Sequence, residues 1–190
     1  MKRNEFIKST ALGISALSLT SLITACKAEA KDAPSKENHE MSLQELQDPK
    51  IVKSEEGTIL QVMGDNQTVK ISGKDTNGKF TLIEQNNSPG MGIPPHIHYD
   101  EDEIFHVLEG QMAMTIGDKS TILGPGDLIF CPRGIPHSFK AIGDEKARVL
   151  LSIFPSGLED MFEELSQLPA GPPDMEKIVQ ISAKYNIKFV

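Results

Sequence analysis

Cysteine and positive charge are both scarce in this chain. Two cysteines, Cys26 and Cys131, stand among 190 residues. Cys26 has its own explanation below, and Cys131 alone supports neither a disulfide framework nor a thiolate metal site. Lysine and arginine number 19 against 27 acidic residues, for a formal charge of -8. From Cys26 onward the balance is 16 basic against 26 acidic residues. No basic cluster interrupts it, so the footprint that nucleic-acid phosphates require is missing. Repeats are absent, and no Ser/His/Asp or Cys/His grouping suggests a nucleophilic triad. A hydrophobic share of 38% and a charged share of 24% exclude wholesale disorder and a multi-span membrane protein. The length suits one domain.

The first residues read as an address. Lys2, Arg3 and Lys8 precede an apolar stretch over residues 9–25 that is short and rich in serine and threonine, the pattern of a secretory signal peptide over 1–25. Ile23-Thr24-Ala25-Cys26 resembles a bacterial lipobox, which implies lipidation at Cys26. The head, residues 3–8, is similar to a twin-arginine signal, with Asn4 in the place of the second arginine. Residues 26–45 are polar and read as a flexible tether that includes His39. The expected location is the periplasm or cell envelope, with a membrane contact through the lipid only.

Residues 46–155 read as a strand-rich body. Short apolar runs at 59–63, 69–71, 80–83, 103–108, 111–116, 120–123, 128–131, 137–142 and 147–154 are separated by glycine-rich turns, and Asn77-Gly78 signals a hairpin. Evenly spaced short strands mean a sandwich or barrel. The period changes after Pro155. Leu158, Met161, Phe162, Leu165 and Leu168 fall at helical spacing, with Ser156 as cap, and Asp174 opens a second helix. This helical extension, 156–190, presents apolar faces suited to packing on the body, and equally to a homodimer interface.

The chemistry concentrates between Gly90 and Gly110. His96 and His98 are two apart, so on a strand both side chains leave one face. After the acidic turn at 99–102, an antiparallel return brings Glu103 beside them, while His106 points the other way. A second stretch from Gly126 to Phe139 supplies His137 after a turn rich in proline and glycine. Three imidazoles and one carboxylate suit a divalent transition metal and leave coordination positions open. Taken alone, the His96/His98 pair fits an exposed edge strand better.

These residues coincide with a family pattern. Gly90-x5-His96-x-His98-x4-Glu103-x6-Gly110 resembles the first cupin motif at every fixed position. Gly126-x5-Pro132-x-Gly134-x2-His137 resembles the second, with Ala141 where that motif ends in asparagine, and fifteen residues separate the two. The resemblance covers residues 51–154. It implies an all-β fold, the double-stranded β-helix or jelly-roll barrel, here with a short C-terminal helical extension. It also implies His96, His98, Glu103 and His137 as ligands of one divalent metal, whether iron, manganese, nickel, cobalt, copper or zinc. The tail from Phe154 to Ile187 is similar to the extension of small single-domain cupins likened to quercetin dioxygenases. The expected function is therefore a metal-dependent oxygenase acting on a small apolar or aromatic substrate. Glu103 doubles as proton acceptor, and Phe105, Met112, Met114, Phe130 and Phe139 line the pocket. The alternatives are a non-catalytic, lipid-anchored binding module and a cupin isomerase. No helix-turn-helix accompanies the motifs, which argues against a transcriptional sensor. Cys131 reads as a small core residue.

The lipobox reading has a direct check. In a bacterial host the full-length protein should fractionate with membranes, and Cys26→Ser should release it. A wild type found wholly in the soluble fraction contradicts the lipidation.

Overall fold

Inward and outward side chains alternate along four strands, residues 81–87, 102–109, 137–142 and 147–154. The computed structural model describes residues 47–169 and 173–190; the expected signal peptide, Cys26 and the whole tether, His39 included, lie outside the described residues. Strands β1 (Thr58–Val62) and β2 (Asp65–Ile71) are followed by one helical turn, α1 (Gly73–Thr76), and by β3 (Thr81–Asn87). Next come β4 (Gly92–His98), β5 (Asp102–Glu109), β6 (Gln111–Ile116), β7 (Lys119–Leu123), β8 (Leu128–Cys131), β9 (His137–Ile142) and β10 (Ala147–Phe154). Helices α2 (Leu158–Ser166) and α3 (Met175–Lys184) lead to a last strand, β11 (Ile187–Phe189).

The strands form two antiparallel sheets, ordered β1-β2-β3-β10-β5-β8 and β11-β4-β9-β6-β7. They share one core. Ile83, Phe105, Val107 and Leu151 from the first sheet join Met112, Met114, Phe139 and Ala141 from the second in a single buried cluster. Two residues per period explain the assignment. Along β10, Ala147, Val149, Leu151 and Ile153 point inward and their neighbours do not. The fold is an all-β double-stranded β-helix with a short helical extension. Among the described residues the two ladders stay separate, so the sheets do not close into a continuous barrel.

Three local expectations change. Strands β4 and β5 belong to different sheets, so the turn at 99–101 crosses between sheets instead of closing a hairpin. The left-handed backbone of Asn77 and Gly78 (φ 51° and 77°) ends α1. There the Gly78 N–H donates to the Gly73 carbonyl at 2.8 Å. Both residues tolerate positive φ, which serves a helix C-terminus as well as a hairpin turn. Two-residue hairpin turns are found instead at Met63-Gly64, between the opposed residues Val62 and Asp65, and at Gly117-Asp118, between Ile116 and Lys119. Finally, Ser156 does not cap α2, whose N-cap position is Gly157 and lacks a side-chain cap bond.

Glu159 does the tying instead. Its carboxylate accepts from the N–H groups of Gly73 (2.6 Å) and Gly157 (2.8 Å) and from the Thr81 hydroxyl (2.5 Å), joining α2 to α1 and β3. Burial alone would raise the Glu159 pKa, but these donors outweigh it and hold the group below its ordinary value. A depressed carboxylate stabilises the fold above its unfolded pKa of 4.5 and loses that contribution as pH falls through the folded value. Glu159→Ala should cost about 2 kcal/mol at pH 7, given hydrogen bonds to a charged acceptor. In urea titrations the gap between wild type and variant should narrow below about pH 4.5. A gap that is constant with pH contradicts this role.

Candidate metal centre

Proline sets the two paired imidazoles. Pro94 and Pro95 offer no N–H to the ladder, and the register between β4 and β9 slips between Ile93 and His96. Beyond the slip, His96 stands directly opposite His137. Each of these histidines follows a proline, and each turns its Nδ1 toward the carbonyl two residues before it. The distances are 2.9 Å from His96 to Pro94 O and 3.4 Å from His137 to Ile135 O. A carbonyl only accepts, so Nδ1 of His96 carries the proton and Nε2 keeps its lone pair. His98 comes two residues after His96, from the same face of β4.

Glu103 arrives from the opposite sheet. Its Oε2 lies 2.9 Å from His137 Nε2 and 3.6 Å from His98 Nε2. One donor atom from each of His96, His98, Glu103 and His137 falls within 4.8 Å of the others. All four residues are at least nine-tenths buried. The structure thus brings together every residue that the cupin motifs implied as ligands.

Electrostatics agree with this arrangement. Burial, then the neighbouring His137, pushes His96 down to about 4, so it stays neutral. Burial would lower His98, but the Glu103 and Glu101 carboxylates outweigh it and raise it. Burial would likewise raise Glu103, yet the three imidazoles hold it below its ordinary value, as an anion. The donor set fits a first-row divalent metal. Opposite ligands of such an ion are about 4.2 Å apart at bond lengths of ~2.1 Å, so atoms already within 4.8 Å need little movement. Two imidazoles are oriented from behind by carbonyls, the usual outer support of a metal-bound histidine.

The third imidazole has a support that no motif signals. Glu101 Oε2 sits 3.5 Å from His98 Nδ1. Both atoms are buried and have no other partner. The acidic run 100–103 is the only trace of it in the sequence, where it reads as a turn. Cys131 pairs with Glu103 across β5 and β8. Burial and then the Glu103 charge push its thiol up to about 12, so it is inert. His106 is out of phase with Glu103 and half-buried on the other face of β5.

A cavity adjoins three of the four residues, His96, His98 and Glu103. Its volume is about 80 Å³. Phe105 and Phe139 line it as expected. Met112 and Met114 are buried in the core but do not reach it, and Phe130 points outward at 52% exposure. Phe130 and Cys131 are adjacent on one strand, so only one can face inward, and Cys131 does. Ala141 is packed opposite Met112, away from the cavity. The tail supplies wall residues that no motif signalled: Met161, Phe162 and Leu165 from α2, Ile178 from α3 and Ile187 from β11.

Protein purified without chelators should carry about one metal per chain by elemental analysis. His96→Ala and His137→Ala should each lose most of it, whereas Glu101→Gln should weaken binding about 10–100-fold. Full occupancy in both alanine variants contradicts the assignment.

The geometry agrees with comparisons to known proteins. Residues 84–154 match the cupin domain model. A quercetin 2,3-dioxygenase from Bacillus subtilis is 30% identical over 137 residues, covering 70% of this chain. The chain spans only 40% of that relative's length. KdgF from a Halomonas species superposes with a TM-score of 0.54 at 18% identity, over 60% of this chain and 99% of the other. For a predicted oxalate decarboxylase from Thermotoga maritima the values are 0.51 and 23%, over 56% and 99%. At such identities these two structures establish the fold alone. With both motifs in place, the matching domain model and the shared double-stranded β-helix, the chain belongs to the cupin superfamily.

Proposed function

We propose that this protein is a metal-dependent oxygenase acting on a small, largely apolar or aromatic substrate. The observation that carries the reading is a buried set of three imidazoles and one carboxylate opening onto a cavity whose nearby wall is apolar, with Phe105, Phe139, Ile93 and Leu151. The likeness to a quercetin 2,3-dioxygenase over 70% of the chain supports it.

His96, His98, Glu103 and His137 hold the metal in this reading. When bound, the metal supplies a Lewis acid for a substrate oxygen and open positions for dioxygen. The rest belongs to the chain. Phe105, Phe139 and the apolar residues of α2 orient the substrate and exclude water. Glu103, an anion at the cavity wall, accepts the proton of a substrate hydroxyl at Oε2. Both atoms of dioxygen enter the substrate, which supplies the electrons, so no external reductant is needed.

Oxygen uptake by iron-, manganese- or nickel-loaded protein, measured with a panel of flavonols and catechols, tests the activity. Uptake with at least one member is expected. Glu103→Gln should keep much of its metal and lose roughly 10²–10⁴-fold in rate, the range for a positioned base. No uptake with any metal overturns the oxygenase reading, and a metal-replete, fully active Gln variant overturns the role of Glu103.

A further inference from the structure

The inward face of the first sheet breaks its own rule at one end. Along β3 the buried positions run Thr81, Ile83, Gln85 and Asn87, and Gln67 of β2 stands directly opposite Gln85. Gln67, Gln85 and Asn87 are 5%, 3% and 4% exposed. Gln67 Oε1, Gln85 Oε1 and Asn87 Nδ2 are buried and have no hydrogen-bond partner. All three residues line the same cavity as His96, His98 and Glu103. Buried amides without partners are rare and destabilising. Three of them converging on one cavity mark a place where something else completes their bonding.

The register gives the distance. β10 lies between β3 and β5, where Glu103 pairs with Ile153 and Gln85 with Val149. Gln85 is therefore two strands across and four residues along from Glu103, about 16 Å between Cα atoms by strand spacing and rise. The wall is also free of cations, since no lysine or arginine lines the cavity. Asp65, on the same wall, already accepts from the Ser88 N–H (2.8 Å) and hydroxyl (2.6 Å).

We infer that Gln67, Gln85 and Asn87 form a second recognition station, which holds an uncharged, dihydroxylated end of the substrate while its other end reaches the four metal-ligating residues. Two adjacent hydroxyls donate to the glutamine oxygens, and one of the hydroxyl oxygens accepts from the asparagine amide. A carboxylate or phosphate at that end meets carbonyl oxygens and the Asp65 carboxylate, while the nearest cation, the exposed Lys146 Nζ 4.0 Å from Asp65 Oδ1, lies outside the cavity lining. The substrate class is thus a neutral, elongated molecule with an apolar middle and hydroxyls at the far end. This inference rests on the cavity being the substrate site proposed above.

Binding to the zinc-loaded full chain without oxygen tests it, because zinc is redox-inert and turnover plays no part. The probes are 4-hydroxybiphenyl, 3,4,4′-trihydroxybiphenyl and 4′-hydroxybiphenyl-4-carboxylate, measured by calorimetry. The wild type should bind the trihydroxy probe about ten-fold or more tighter than the monohydroxy probe, as two extra hydrogen bonds allow, and the carboxylate most weakly. Gln67→Met/Gln85→Met should abolish that preference while leaving Tm unchanged or raised, because unpartnered buried amides are removed. Equal affinities in the wild type, no binding of any probe, or a preference that survives the double variant overturns the inference. So does a Tm lowered by several degrees, which would place the amides in the support of the fold. Absent oxygen uptake, by contrast, would overturn the oxygenase reading and leave this one standing.

Discussion

A buried carboxylate is tolerable only when positive or polarised partners surround it, and the structure is organised around meeting that condition for Glu103. Burial pushes the group toward its neutral form, yet three imidazoles within reach hold it anionic. An unpaired charge in such a place costs several kcal/mol. The four side chains must therefore arrive together from both sheets. His96 and His98 come from β4, His137 from β9 and Glu103 from the facing β5. A divalent cation meets the same condition better than protons do, since it binds the carboxylate and all three lone pairs at once.

The surrounding fold fixes these arrivals. Two prolines break the ladder before His96 and one precedes His137, so the carbonyls behind the rings are placed to set both tautomers. The tail contributes too. Strand β11 pairs with β4 along the histidine segment, Ile187 opposite His98 and Phe189 opposite His96, while α2 and α3 close the cavity with apolar side chains. The helical extension is thereby part of the site's wall, and Glu159 fastens its first helix to the first sheet.

Much of this is legible in the sequence because strands have a period of two. That period alone puts His96 and His98 on one face of their strand, and Glu103, Phe105 and Val107 on one face of theirs. Glycines and prolines mark the turns, and the strands from β6 to β10 fall close to where alternation places them. What stays hidden depends on contacts between distant segments. Alternation cannot say which strand is a neighbour, so the sequence suggests β5 beside β4 although they lie in different sheets. It cannot separate residues that face the core from residues that face the cavity, which is why Met112 and Met114 read as pocket residues. Gln67, Gln85 and Asn87 carry no sequence signal of burial, because buried amides without partners defy the ordinary pattern. The short β11 has too few residues for a period to be read.

X-ray absorption at the K edge of the metal that co-purifies with the protein tests the central claim most directly. The account predicts a first shell of nitrogen and oxygen only, with the multiple-scattering signature of three imidazoles and no sulfur. That signature should fall to two imidazoles in His98→Ala. A sulfur ligand, or a shell of oxygen alone, would contradict the assignment of His96, His98, Glu103 and His137 as the metal centre.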